Sequence, residues 1–154
     1  MIDWETLHSP YTPPAEVFEA VCAELGAYYT ERGAKYTKSN KRIKFAFERV
    51  RCEIGLHSSH SNMAGRWVNL EIIPSVYAAD TSGMERKGIL ITGDRPHNVN
   101  VVKIDDKQFA EITALIDGLL ERARSYETRE GAASLRDDPN NAVYFARYFG
   151  NVED

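Results

Sequence analysis

Arg42, Lys44, Arg49 and Arg51 lie in a stretch, Lys35 to Arg51, that holds seven Lys or Arg and a single acid, Glu48. Cations set two apart on an extended strand share one face and can bind phosphates or an acidic protein surface. The stretch has a formal charge of about +6 in a chain that sums to -4, so the remainder carries about -10. Trp67 falls on an outward phase of a later strand, and Tyr36 is expected nearby; aromatics of this kind stack on bases or anchor protein contacts. Glu48, Glu53 and Glu71 share these phases, so the competing expectation is a solvated face of cross-strand ion pairs. The low overall pI of about 5.6 argues against a dedicated nucleic-acid binder.

The other chemistry-bearing residues form weaker patterns. His57-Ser58-Ser59-His60 offers two imidazoles, with Asp80 or His97 available to complete a zinc set, but no second paired ligand motif exists. It reads as a polar surface loop with no metal. Asp94-Arg95-Pro96-His97 joins an acid, a cation and an imidazole in one loop, a set suited to general acid–base work or to an ordinary turn. Ser58 lacks the GxSxG elbow, and Gly83 to Gly88 lacks the phosphate-loop pattern. Cys22 and Cys52 fall on apolar phases, as buried thiols would. No cofactor motif is present. Tyr144, Phe145, Tyr148 and Phe149 fit one broad helical face, for core packing or for a partner.

The elements that must position these residues follow from periodicity. Thr12-Pro13-Pro14 reads as a helix cap with proline in the first turn. The helix is expected to reach about Arg32 on a stripe of Val17, Phe18, Val21, Cys22, Leu25, Tyr28 and Tyr29, with Gly33 as its stop. Gly26, inside it, suggests close packing against the sheet. A short strand holds Tyr36, and Asn40-Lys41 is a two-residue turn. Ile43, Phe45 and Phe47 share one phase, whereas Val50, Cys52, Ile54 and Leu56 occupy the other. A bulge at Glu48-Arg49 restores the register and turns Arg42, Lys44, Arg49 and Arg51 outward; a tight turn is the competing reading. Val68, Leu70 and Ile72 mark a strand stopped by Pro74. An irregular connection, Val76 to Arg86, leads to strands at Ile89 to Ile91 and Val99 to Ile104. A long helix follows Asp105-Asp106 to about Arg129, on Phe109, Ile112, Ile116, Leu119, Leu120, Ala123 and Tyr126, and a last helix starts at Asp138-Pro139.

This order predicts an α+β fold: a helix, an antiparallel sheet of about five strands, then two helices, with helices on one sheet face and the cations on the open one. Residues 1–154 read as a single domain, with 1–11 an extended docking arm and 151–154 a short acidic tail. Phe45, Phe47, Ile54, Leu70, Ile72, Ile112, Ile116 and Leu119 are the expected core. The first residues lack an apolar run, so no signal peptide and no membrane span is expected, and a cytoplasmic location follows.

The run Leu25 to Tyr77 carries a helix ending in a Gly turn, Tyr36-Thr37-Lys38, Ile43-Lys44-Phe45-Ala46-Phe47, a polar loop and Trp67-Val68-Asn69-Leu70-Glu71-Ile72. In this it resembles small bacterial α+β proteins found beside secreted toxins as immunity proteins. That resemblance implies a non-enzymatic, inhibitory protein that binds another protein, a toxin, but carries over no functional residue; Arg42, Lys44, Arg49, Arg51 and Trp67 are the expected contact residues because their strand phases point outward. Two alternatives stay open: a nucleic-acid or nucleotide-binding module using the basic strand face, and a hydrolase using the His57–His60 or Asp94–His97 loops.

Overall fold

Val17, Val21, Cys22, Leu25 and Tyr29 recur at helical spacing, and all are buried along one side of α1 (Pro14–Thr30). The computed structural model describes residues 2–79, 90–93, 95–135 and 149. After α1 come β1 (Lys35–Thr37), β2 (Arg42–Ala46), β3 (Val50–Ser58), β4 (Asn69–Ala78), β5 (Leu90–Gly93), β6 (His97–Asn100), α2 (Asp106–Ser125) and α3 (Arg129–Ala132). The fold is α+β, with a helix before the antiparallel sheet and two after it. The last expected helix, including Tyr144, Phe145 and Tyr148, lies outside the described residues, as do Asp80, Asp94, the Gly83–Gly88 run and the 151–154 tail.

α1 starts at proline, but the cap is Pro13, with no side-chain hydrogen bond; Thr12 does not cap it. Gly33, at φ +93°, ends it as expected. Gly26 is needed for close approach, because a methyl group there would run into the Tyr36 ring. Tyr36 therefore faces the helix, opposite the buried Ile43, and not the open sheet face. Four residues, 38–41, join β1 to β2, with Lys41 at φ +51°, rather than a two-residue turn.

The phase change after Phe47 has a different cause from the expected bulge. β2 and β3 are separate antiparallel strands, pairing Ile43 with Ile54 and Ala46 with Arg51. Phe47 N–H donates to Val50 O at 3.0 Å, closing a tight turn. β4 also differs from expectation: it continues through Pro74 to Ala78, so Val76 to Ala78 are strand. β6 pairs with Asn69 to Ile72 and β5 with Ser75 to Tyr77, both on the flank away from β3. Neither pairs with Pro74, so its missing N–H interrupts no ladder on that flank. β5 and β6 are thus two segments of one edge, and the sheet is five strands wide. β6 starts at His97 and ends at Asn100, short of the expected Ile104.

α1 and α2 cover one face. Tyr29 hydroxyl reaches from α1 to Thr113 O and Asp117 Oδ1 on α2, at 3.0 and 2.9 Å. Asp105 caps α2 by accepting from Gln108 N–H at 2.7 Å, and Arg122 and Arg124 sit in its last turn, where they complement the helix dipole. The helix stops at Ser125, short of the expected Arg129, and Thr128 caps the separate α3. Ile54, Leu70, Ile72, Ile112 and Ile116 are buried. Phe45, Phe47 and Leu119 are only half-buried: Phe45 meets the Tyr29 ring edge-on near the narrow β1 edge, and Phe47 sits in the turn under the Arg124 guanidinium. The arm is not extended throughout, because Trp4–Leu7 forms a short 3-10 helix; it docks through Trp4 and Leu7, and Trp4 Nε1 donates to Asp106 Oδ1 at 3.1 Å, but Tyr11 stays 88% exposed. Among the described residues, no helix is long and apolar enough to cross a membrane.

Candidate binding face

Strand alternation builds the face opposite the helices. Even-numbered residues of β4 from Leu70 to Ala78 are buried, and Glu71, Ile73, Ser75 and Tyr77 point the other way, half-buried. The register sets Lys35 opposite Lys44, Lys44 opposite Glu53, Ile73 opposite Gly55, and Tyr77 opposite Arg51. Arg42, Lys44 and Arg51 are exposed, as expected for this phase.

These cations have one carboxylate among them. Arg42 Nη1 donates to Glu53 Oε2 at 2.9 Å, and Lys44 Nζ stands 4.0 Å from Glu53 Oε1. Arg51 Nη1 donates to Phe47 O at 2.6 Å and meets no carboxylate among the described residues. Lys35 lies directly opposite Lys44, a like-charge pair that costs stability, and has no ion pair among the described residues. Among the described residues, cross-strand pairing thus occurs only at Glu53, and these strands keep an excess of positive charge.

Arg49 is not part of this face. Its guanidinium donates to Glu127 O at 2.7 Å and lies over the Phe149 ring at 5.3 Å. The Glu127 carboxylate in turn accepts from Arg49 N–H at 2.8 Å and Val50 N–H at 2.9 Å. The expected outward Arg49 belonged to the bulge; in the tight turn it is directed at the α2–α3 connection. Lys41 likewise turns to α1, pairing with Glu19 at 2.8 Å.

Trp67 is outward, 46% exposed, but it is not beside the cations. It precedes β4 by two residues, whereas Arg51 pairs with Tyr77 at the far end of that strand. Ten residues of extended chain separate the two positions by roughly 30 Å. Trp67 belongs instead to a small tip: Met63 N–H donates to Trp67 O at 2.7 Å, and Trp67 N–H returns to Met63 O at 2.9 Å. Gly65, at φ +71°, turns the chain there and packs so tightly on Pro10 that a Cβ would sit 2.7 Å from Pro10 Cα. Met63 is 54% exposed, and Tyr11 follows Pro10, so the tip gathers apolar surface that periodicity did not reveal. Asparagines hold it. Asn100 Oδ1 accepts from Val68 N–H at 3.0 Å, Asn62 Oδ1 from Asn69 N–H at 2.9 Å, and Asn69 Nδ2 donates to Asn98 Oδ1 at 3.0 Å.

The remaining candidates are not drawn into one site. His57 and His60 are exposed, His97 is half-buried, and no three His, Cys, Asp or Glu gather to hold a metal among the described residues. A cleft of about 420 Å³ lies at the β6–α2 connection, lined by Asn100, Lys103, Asp105, Lys107 and Glu111, and neither His57–His60 nor His97 lines it. Cys22 and Cys52 are buried as thiols. Burial pushes the Cys22 thiol up to about 12, away from the reactive thiolate. Burial also raises Tyr36 to about 12 and Tyr29 further, the latter with help from its hydrogen bond to Asp117.

No protein-family model, curated protein or solved structure matches the chain.

Proposed function

We propose that this is a non-enzymatic binding protein that inhibits a partner protein by occluding it, with the open sheet face as the contact surface. One observation carries the reading: Lys35, Arg42, Lys44 and Arg51 share a solvent-facing sheet face on which Glu53 pairs only with Arg42 and Lys44, beside the half-buried Ile73 and Tyr77. Mixed apolar and charged surface of this kind suits a protein interface. A secreted toxin is the partner class that the resemblance to immunity proteins implies. A standard interface takes about 800 Å² from each partner, a patch roughly 30 Å across. Trp67 and Arg51, about that far apart, cannot both sit at its centre, where anchors concentrate. The cationic end is the anchor, and the tip lies at or beyond the rim. Buried thiols fit a cytoplasmic setting.

The test is site-specific photocrosslinking in cells from Ser75, on the open face, and from Ser125, on the helical side. A discrete protein adduct from Ser75 alone is expected, and the purified partner should lose its activity on stoichiometric addition of the chain. Absence of a Ser75 adduct, or undiminished partner activity, contradicts occlusion. The same unneutralised cations also suit nucleic acid. Tight oligonucleotide binding that collapses between low and physiological salt would replace this reading with that one.

A further inference from the structure

We infer that Lys35, Arg42 and Lys44 form a carboxylate-reading site for an acidic segment of the partner protein, with Glu53 as an internal competitor that the partner's carboxylates displace. The inference rests on the protein-binding reading above and names the chemistry of the partner.

The spacing supports it. Lys35 and Lys44 are directly opposed on neighbouring strands, about 5 Å apart in backbone terms. Arg42 lies two residues from Lys44 along β2, about 7 Å away. Acidic side chains at alternate positions of an extended peptide have that same period of about 7 Å. One such segment laid along β2 would place successive carboxylates at Arg42 and Lys44. Glu53 engages one guanidinium nitrogen of Arg42, leaving other donors of its planar fork for a second carboxylate. The Lys35–Lys44 opposition is unfavourable in the free chain and would be relieved by an incoming anion.

Glu53 already shows what the site accepts. It reaches Arg42 and approaches Lys44 with two different oxygens, in a pairing whose side chains are 24% to 47% exposed. Exposed pairs of this kind are weak, so a partner with several carboxylates can replace it. Nucleic acid fits less well. The cations are confined to β1, β2 and the near end of β3, and Glu71 lies on the same face farther along β4. A duplex carries one charge per 1.7 Å or so over its whole length. It would run from the cations onto that acid and onto a chain of net charge -4.

The experiment uses the full chain and a fluorescent oligo-glutamate peptide, followed by anisotropy, with single-stranded and duplex oligonucleotides as competitors. Lys44→Glu is expected to weaken peptide binding about tenfold, the effect of removing a close charge pair. Glu53→Gln is expected to tighten it about threefold, the scale of an exposed ion pair. Lys107→Glu, on α2, is expected to change it little. Unchanged thermal midpoints show that the variants fold. Indifference to both Lys44→Glu and Glu53→Gln overturns the inference, as does weaker binding by Glu53→Gln. Oligonucleotides that displace the peptide at far lower concentration overturn it in favour of nucleic acid. A Ser75 crosslink that survives Lys44→Glu removes the carboxylate site and leaves occlusion standing. A peptide response without any Ser75 partner removes occlusion and leaves the site.

Discussion

At one end of β3 the Phe47–Val50 turn gives two backbone N–H groups to the Glu127 carboxylate, whereas beyond its other end the Met63–Trp67 tip leaves two large apolar side chains in solvent. The turn is closed by groups 78 residues away in sequence, and its arginine serves the fold. The tip is held by asparagines from its own neighbourhood and from β6, and its tryptophan stays 46% exposed. The difference separates cations that stabilise from residues that remain available. Arg49 and Arg51, two apart and alike in type, differ in this way: Arg49 is directed at Glu127, whereas Arg51 donates to Phe47 O and stays exposed on the open face.

The largest expected effect is at the closed end. Glu127→Ala should leave the Arg49 and Val50 N–H groups without a charged acceptor and cost about 2–3 kcal/mol. Urea unfolding measures it, and a loss below half a kcal/mol would show the clamp to be incidental. Gly26→Ala comes next. The added methyl must displace the Tyr36 ring, an overpacking cost of about 1–3 kcal/mol. A neutral result would mean that α1 and β1 separate freely.

The same α1–β1 packing sets an alkaline limit. Burial raises Cys22 from 9.0 to about 12 and Tyr36 from 10.0 to about 12, so the fold favours their neutral forms. Their contribution is fully present below the unfolded values and is lost as pH rises through the folded ones. Stability should therefore hold to about pH 9 and decline towards pH 12, and Cys22→Ala should make that decline shallower. A Cys22→Ala profile identical to the parent would contradict this. At the open end the expected change is smallest: Trp67→Ala should alter stability by less than about 0.5 kcal/mol, as at other surface positions. A larger loss would mean that the tip is structural and remove the contrast with the turn.

Much of this was legible in residue order. The stripe of α1, the Asp105 cap, the two phases of β2 and β3, and the outward Arg42, Lys44, Arg51 and Trp67 all follow from local periodicity. Pro74 misleads because a proline reads as a strand stop unless its flank is known, and here β5 and β6 leave that position unpaired. Arg49 misleads because a bulge and a tight turn correct the phase equally well, and only the distant Glu127 marks the turn. The separation of Trp67 from Arg51 needs register, which alternation alone does not supply. The apolar tip needs the Pro10–Gly65 contact, for which no local pattern stands.

Amide and indole chemical-shift mapping of the full chain, titrated with the oligo-glutamate peptide at physiological salt, tests most directly whether the cationic face and the aromatic tip are separate. The expected result is shifts at Lys35, Arg42, Lys44, Glu53 and Gly55, with the Trp67 indole and Met63 amide unmoved. Shifts centred on Trp67 and Met63, or none on β1 to β3, would contradict the assignment of the binding site to the open sheet face.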